Sequence, residues 1–93
     1  MISIEKEYLL EIRDLFKDRR IAMGLKQVEA ASRSGVNIST LRLFEKSGQV
    51  SLSNLLKISV VYKMDRRLLE SLTDRRWWSI KELERAERFN TVR

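Results

Sequence analysis

The 93-residue sequence has no cysteine, no histidine, no proline and only three glycines. Each absence removes something. Without cysteine there are no disulfides and no thiolate metal sites, and without histidine there is neither an imidazole ligand nor an imidazole base. Nothing marks any of the remaining carboxylates as buried or set against a partner, so neither an enzyme nor a cofactor is expected. No apolar stretch approaches the roughly 20 residues that a membrane span needs. The opening MISIEKEYLL lacks the basic region and long apolar run of a secretory signal, and a cytoplasmic location is expected.

Positive charge is what the chain has in excess. Lys and Arg number 19 against 13 Asp and Glu, a net +6. That balance suits a polyanionic partner: nucleic acid first, then an anionic membrane or an acidic protein. It equally describes an ordinary basic surface, so charge alone decides nothing. The charges are not gathered opposite one large apolar face, which argues against a membrane-surface helix.

With no proline and few glycines, the chain reads as all-α with short connections. Gly24, Gly35 and Gly48 each fall where a turn is needed. Helix one is expected from about Ile4 to Met23, with Leu9, Ile12, Phe16 and Arg20 along one side. A short helix follows over residues 26–34, then a third in ISTLRLFEK, capped by Asn37. Ser51 is placed to cap a fourth helix in SLSNLLKISVVYK, with Leu52, Leu55, Leu56, Ser59 and Tyr62 on one face. The β-branched run ISVVY has strand character, but its continuity with the leucine pattern favours helix. A fifth helix is expected from Asp65 to Leu72. Ser79 and Glu82 then have capping-box spacing ahead of IKELERAERF.

The strongest signal lies in QVEAASRSGVNISTLRLFEK, residues 27–46. Two helices crossing steeply over a tight turn need a small residue at closest approach, a residue tolerant of left-handed backbone, and apolar anchors on the second helix. Ala31, Gly35 and the set Val36, Leu41 and Phe44 meet these needs together.

From about Ile12 to Leu72 the chain resembles the lambda-repressor-like (Xre/Cro-type) helix-turn-helix family. The resemblance rests on Arg20 ahead of GLKQ, Gln27 opening helix two, SGVNISTLRLFEKSG, and SLSNLLKI as the fourth helix. Two positions depart from the family's habit: Ala30, where leucine is common, and Ser34, where alanine is. The resemblance implies a five-helix DNA-binding domain over residues 1–72, with a C-terminal helical extension over 73–93. It also implies that helix three enters the major groove of double-stranded DNA. Asn37, Ile38, Ser39, Arg42 and Leu43 then become the base-reading candidates. Arg42 suits a bidentate pair with guanine, and Ile38 a thymine methyl, although Ile38 and Leu43 also suit packing against neighbouring helices. Lys26, Gln27, Thr40, Lys46, Ser51 and Ser53 are the phosphate candidates. Arg20 and Glu45 match a structural ion pair of the family, with a phosphate contact for Arg20 as the second reading.

One such domain makes few base contacts. Two copies on a pseudo-palindromic operator, with half-sites roughly 34–36 Å apart, double them, so a homodimer is expected. Val60 and Val61 are candidates for the pairing surface, or for burial against helix five. In the extension, adjacent Trp77 and Trp78 are candidates for partner binding, or for folding back over the core. The segment SIKELERAERFNTVR resembles the tail of HipB-like antitoxins, which repress their own operon and bind a HipA-type kinase toxin. DRRWW stands where such proteins usually carry proline. Three readings remain: a repressor that is such an antitoxin, a stand-alone regulator, and a helical protein-interaction module without DNA.

Overall fold

The computed structural model describes residues 3–92. Arg93, the last of the arginine-rich end, lies outside them. Six helices and no strand occur among the described residues: α1 Ile4–Ala22, α2 Gln27–Ser34, α3 Ile38–Ser47, α4 Leu52–Val61, α5 Asp65–Thr73 and α6 Ile80–Val92. Five helices plus an extension thus become six, the last formed by the extension itself. The ISVVY run is helical down to Val61 and turns at Tyr62.

The core is assembled around α3, which packs on α1 and α2, while α4 packs on α2 and α5. Phe16 of α1 meets Phe44 of α3 edge to face with centroids 5.5 Å apart, and the Tyr62 ring is tilted against Phe16 at 6.0 Å. Leu25, Ala30, Ala31, Val36, Leu41 and Ile58 complete the buried cluster. This burial of aliphatic and aromatic surface supplies the main driving force for folding.

Two expectations about helix faces need correction. On α4 the inward direction runs through Leu55, Ile58, Ser59 and Tyr62, whereas Leu52 and Leu56 are exposed. At about 100° per residue those two leucines lie on the flank that Val60 continues, so the true inward face is centred nearer Ile58. Ser59 is fully buried, and its hydroxyl donates to the Leu56 carbonyl at 2.7 Å, which removes the cost of an unpaired polar group. On α1 only Phe16 is buried. Leu9 is half-buried and Ile12 is exposed.

The turn after α3 depends on glycine in two ways. Gly48 has φ +81°, and a Cβ there would stand 2.8 Å from the Leu9 carbonyl oxygen of α1. Positive φ also occurs at Lys63, φ 59°, just beyond the end of α4. That departure from the glycine rule left no trace in composition.

Beyond α5 the chain is organised locally. Asp74 accepts from the Arg76 backbone N–H at 3.0 Å and from its guanidinium at 2.8 Å. Arg75 lies over the Trp78 ring, 5.0 Å from its centroid. Ser79 and Glu82 form the reciprocal capping box that their spacing predicts, at 2.8 and 3.1 Å. α6 then leaves the corner without packing closely on any other helix. The radius of gyration is therefore 16.6 Å, against about 12 Å for a compact chain of this length.

Candidate nucleic-acid interface

The crossing of α2 and α3 is built from small residues and one glycine. Ala30 and Ala31 are both buried where the helices meet, and Gly35 closes α2 with φ 70°. Serine at position 34 is accommodated because its hydroxyl donates to the Ala30 carbonyl at 2.7 Å. Val36, Leu41 and Phe44 anchor α3 inward. The Asn37 side chain caps α3, accepting from the Ser39 N–H at 2.9 Å and the Ser39 hydroxyl at 2.7 Å. Cap and first turn are thereby held as one rigid unit.

Anchoring Leu41, Phe44 and Glu45 inward decides what α3 shows to the outside. At about 100° per residue, Ser39, Arg42, Leu43 and Lys46 share the opposite face, and all are exposed. Asn37 is exposed at its head. Ile38 and Leu43 part company here. Ile38 is half-buried and packed against the core, whereas Leu43 is 53% exposed beside Arg42. Of the two, Leu43 is the more accessible from outside.

Beneath that face lies a charged cluster. The Arg20 guanidinium donates to both Glu45 carboxylate oxygens, at 2.6 and 2.9 Å, and to the Leu25 carbonyl at 2.8 Å. Gln27 donates to the same carboxylate at 3.0 Å. α1, α3 and the start of α2 are joined through one carboxylate with 4% of its side chain exposed. Burial pushes the Glu45 carboxyl upward, but hydrogen bonds from Arg20 and Gln27 outweigh it and hold the group below its ordinary range. The same bond to Glu45 raises Arg20 further. Arg20 thus forms the structural ion pair with Glu45 and also ties the Leu25 carbonyl. Gln27 keeps a second amide N–H, so holding Glu45 and donating to a phosphate are compatible.

Next to this cluster is Tyr62, which the sequence places on the shared face of α4 without a role at the site. The Tyr62 hydroxyl is buried with no hydrogen-bond partner. Burial, reinforced by the Glu45 carboxylate, pushes its pKa up to about 12, with Arg20 opposing. The tyrosine is held neutral and serves as core.

Several other cations are also engaged within the fold. Arg13 donates to the Lys46 carbonyl at 3.0 Å and Lys6 to the Ser47 carbonyl at 3.5 Å, both at the C-terminal end of α3. Arg19 donates to the Tyr62 carbonyl at 2.9 Å, where α4 ends. Cations placed there satisfy orphan carbonyls and the negative end of the helix dipole. These roles depend on distant segments, so they have no signature in local sequence. Part of the positive excess therefore holds helices together rather than forming a surface for DNA.

The remaining phosphate candidates sit at helix starts. Lys26 is exposed ahead of α2, and Glu29 reaches back to its N–H at 3.2 Å. Thr40 is half-buried on α3. Ser51 caps α4 by accepting from the Asn54 N–H at 3.1 Å, and Ser53 is exposed one turn in. In the extension, Trp77 is 77% exposed while Trp78 is half-buried, their rings edge to face. Neither belongs to the buried core cluster. Val60 is exposed and Val61 half-buried.

A protein-family model described as helix-turn-helix matches residues 16–69, from the buried Phe16 to Leu69 of α5. No curated protein and no solved structure matches the chain. No helix among the described residues is long and apolar enough to cross a membrane.

Proposed function

Because the chain belongs to the helix-turn-helix family of DNA-binding transcriptional regulators, we propose that it is a sequence-specific repressor acting as a dimer on a pseudo-palindromic operator. The observation that carries this reading is the outward face of α3. Asn37, Ser39, Arg42 and Lys46 are exposed on a helix fixed from behind by Leu41, Phe44 and the Arg20–Glu45 pair. Arg42 reads a base edge, Leu43 contacts a thymine methyl, and Lys26, Gln27, Thr40, Lys46, Ser51 and Ser53 meet phosphates on either side. Repression is by occupancy: the bound dimer covers promoter DNA and performs no chemistry.

Duplexes selected from a random pool by the full-length protein test this directly. Binding to the selected sequence is expected to exceed binding to its scrambled version by ~10³ or more at physiological salt. Equal affinity for the two duplexes would remove the sequence-specific reading.

The exposure of Trp77 favours a second, narrower reading: the repressor is the antitoxin of a HipA-type kinase toxin and uses its extension to hold that partner. Purification from the native locus is expected to recover a stoichiometric kinase-like protein encoded nearby. Recovery of the chain alone leaves a stand-alone regulator.

A further inference from the structure

An unfilled apolar groove lies between α1 and α5, with no residue of α3 among those lining it. It measures about 380 Å³, with Ile12, Leu15, Leu55, Met64 and Leu68 among its lining residues and Arg67 at its rim. Along α1 the apolar surface continues outward from it. Ile4, Tyr8, Ile12 and Leu15 form a stripe, and all four are exposed, from 40% to 62%. A small domain rarely leaves so continuous an apolar strip to water unless something covers it.

The extension has the complementary deficiency. α6 presents Ile80, 75% exposed, and Leu83, 37% exposed, and packs closely on none of the other helices. No described α6 side chain lines the groove. The corner before α6 is bonded within itself, through Asp74 to Arg76, Arg75 to Trp78, and Ser79 to Glu82. At 13 residues, α6 is about 20 Å long, against about 16 Å for the α1 stripe from Ile4 to Leu15. The charges also fit. Glu84, paired with Arg88 along α6 at 3.8 Å, stands one turn from Ile80 and is opposite in sign to Arg67 of the groove.

We propose that the groove between α1 and α5 receives α6 of a second copy of this chain, and that the exchange is reciprocal, so that two copies hold each other by their C-terminal helices. Each copy supplies one groove and one helix, which gives a closed two-fold dimer. The contact deepens the operator reading by naming the surface that joins the two half-site readers. It rests on that reading for its purpose alone, since the contact needs no DNA.

The absence of cysteine makes the test clean. Full-length Leu68→Cys and Leu83→Cys chains are purified separately, mixed and mildly oxidised. The mixture is expected to give a disulfide-linked dimer joining one chain of each kind, faster than either variant alone. The Leu68→Cys/Leu83→Cys double variant is expected to give covalent dimers rather than an internally bridged monomer. In sedimentation without DNA the parent chain runs at twice its 11.0 kDa mass, Leu83→Glu runs as a monomer with unchanged helical circular dichroism, and Arg42→Ala remains a dimer. A mixture that crosslinks no faster than the single variants, an internal bridge, or a Leu83→Glu dimer would each overturn the proposal. A dimer that binds no DNA would leave it standing and defeat only the operator reading.

Discussion

The segment from Phe16 to Leu69 and the segment from Asp74 onward are both helical, yet they are held by different forces. In the first, each helix is fixed by residues far away in sequence: Phe16 on Phe44, Arg20 on Glu45, Gly48 against Leu9. In the second, the bonds that shape the chain span only two or three residues, as in Asp74 with Arg76 and Ser79 with Glu82. Long-range contacts bury side chains and give cooperative stability, whereas local exposed bonds set direction and contribute little. One region therefore behaves as a scaffold that presents a rigid surface. The other behaves as an arm whose apolar residues await a partner.

The largest expected difference lies in the buried pair. Glu45→Ala leaves Arg20 buried without its anion and is expected to cost about 3–5 kcal/mol in denaturant unfolding. The Asp74–Arg76 pair offers the contrast. Arg76 has 91% of its side chain exposed, and Arg76→Ala is expected to leave the unfolding curve unchanged. An equal cost for the two would erase the distinction between scaffold and arm.

Core and arm leucines sharpen the same contrast. Leu41→Ala, at a position 1% exposed, is expected to cost about 2–5 kcal/mol. Leu83→Ala, measured on dissociated chain at low concentration, is expected to stay within about 0.5 kcal/mol.

Next come the turns. Gly48→Ala meets the Leu9 carbonyl as well as the left-handed backbone, and is expected to cost more than the roughly 1–2 kcal/mol of the conformational penalty alone. Gly24→Ala and Gly35→Ala share the positive φ but open onto free space, and are expected to cost about that penalty and no more. Thermal melts of the three variants rank them.

The smallest effects are those of pH and of a single hydroxyl. Glu45 is held below its ordinary pKa, so its contribution is complete above the unfolded carboxyl value and is lost as pH falls through the lower folded value. Tyr62 has the opposite sign. Its pKa is raised to about 12, so between about 10 and about 12 the unfolded chain gives up a proton that the folded chain keeps, and stability declines with rising pH. Tyr62→Phe is expected to abolish that alkaline decline. It is also expected to be neutral or slightly stabilising at pH 7, because it removes a buried hydroxyl that has no partner.

These distinctions also show where sequence was enough. The α2–α3 crossing was legible because its requirements are local: small Ala31, Gly35, the Asn37 cap and the spacing of Val36, Leu41 and Phe44. Ser79 with Glu82 was legible for the same reason. The inward face of α4 was misjudged because Leu52 and Leu56 look like core until α2 shows which side is covered. Arg13, Arg19 and Lys6 read as plain surface charge, since their carbonyl partners lie more than thirty residues away. Tyr62 was expected on a shared apolar face, but its lack of a hydrogen-bond partner appears only when Phe16, Arg20 and Glu45 gather around it.

The most direct test of the central claim, that the outward face of α3 reads DNA sequence, is a binding titration of Arg42→Ala against a selected duplex and its scrambled version. The selectivity ratio is expected to fall by roughly 5- to 150-fold, matching the loss of about 1–3 kcal/mol of base discrimination, with binding to scrambled DNA reduced far less. An unchanged ratio would contradict the assignment of that face to base reading.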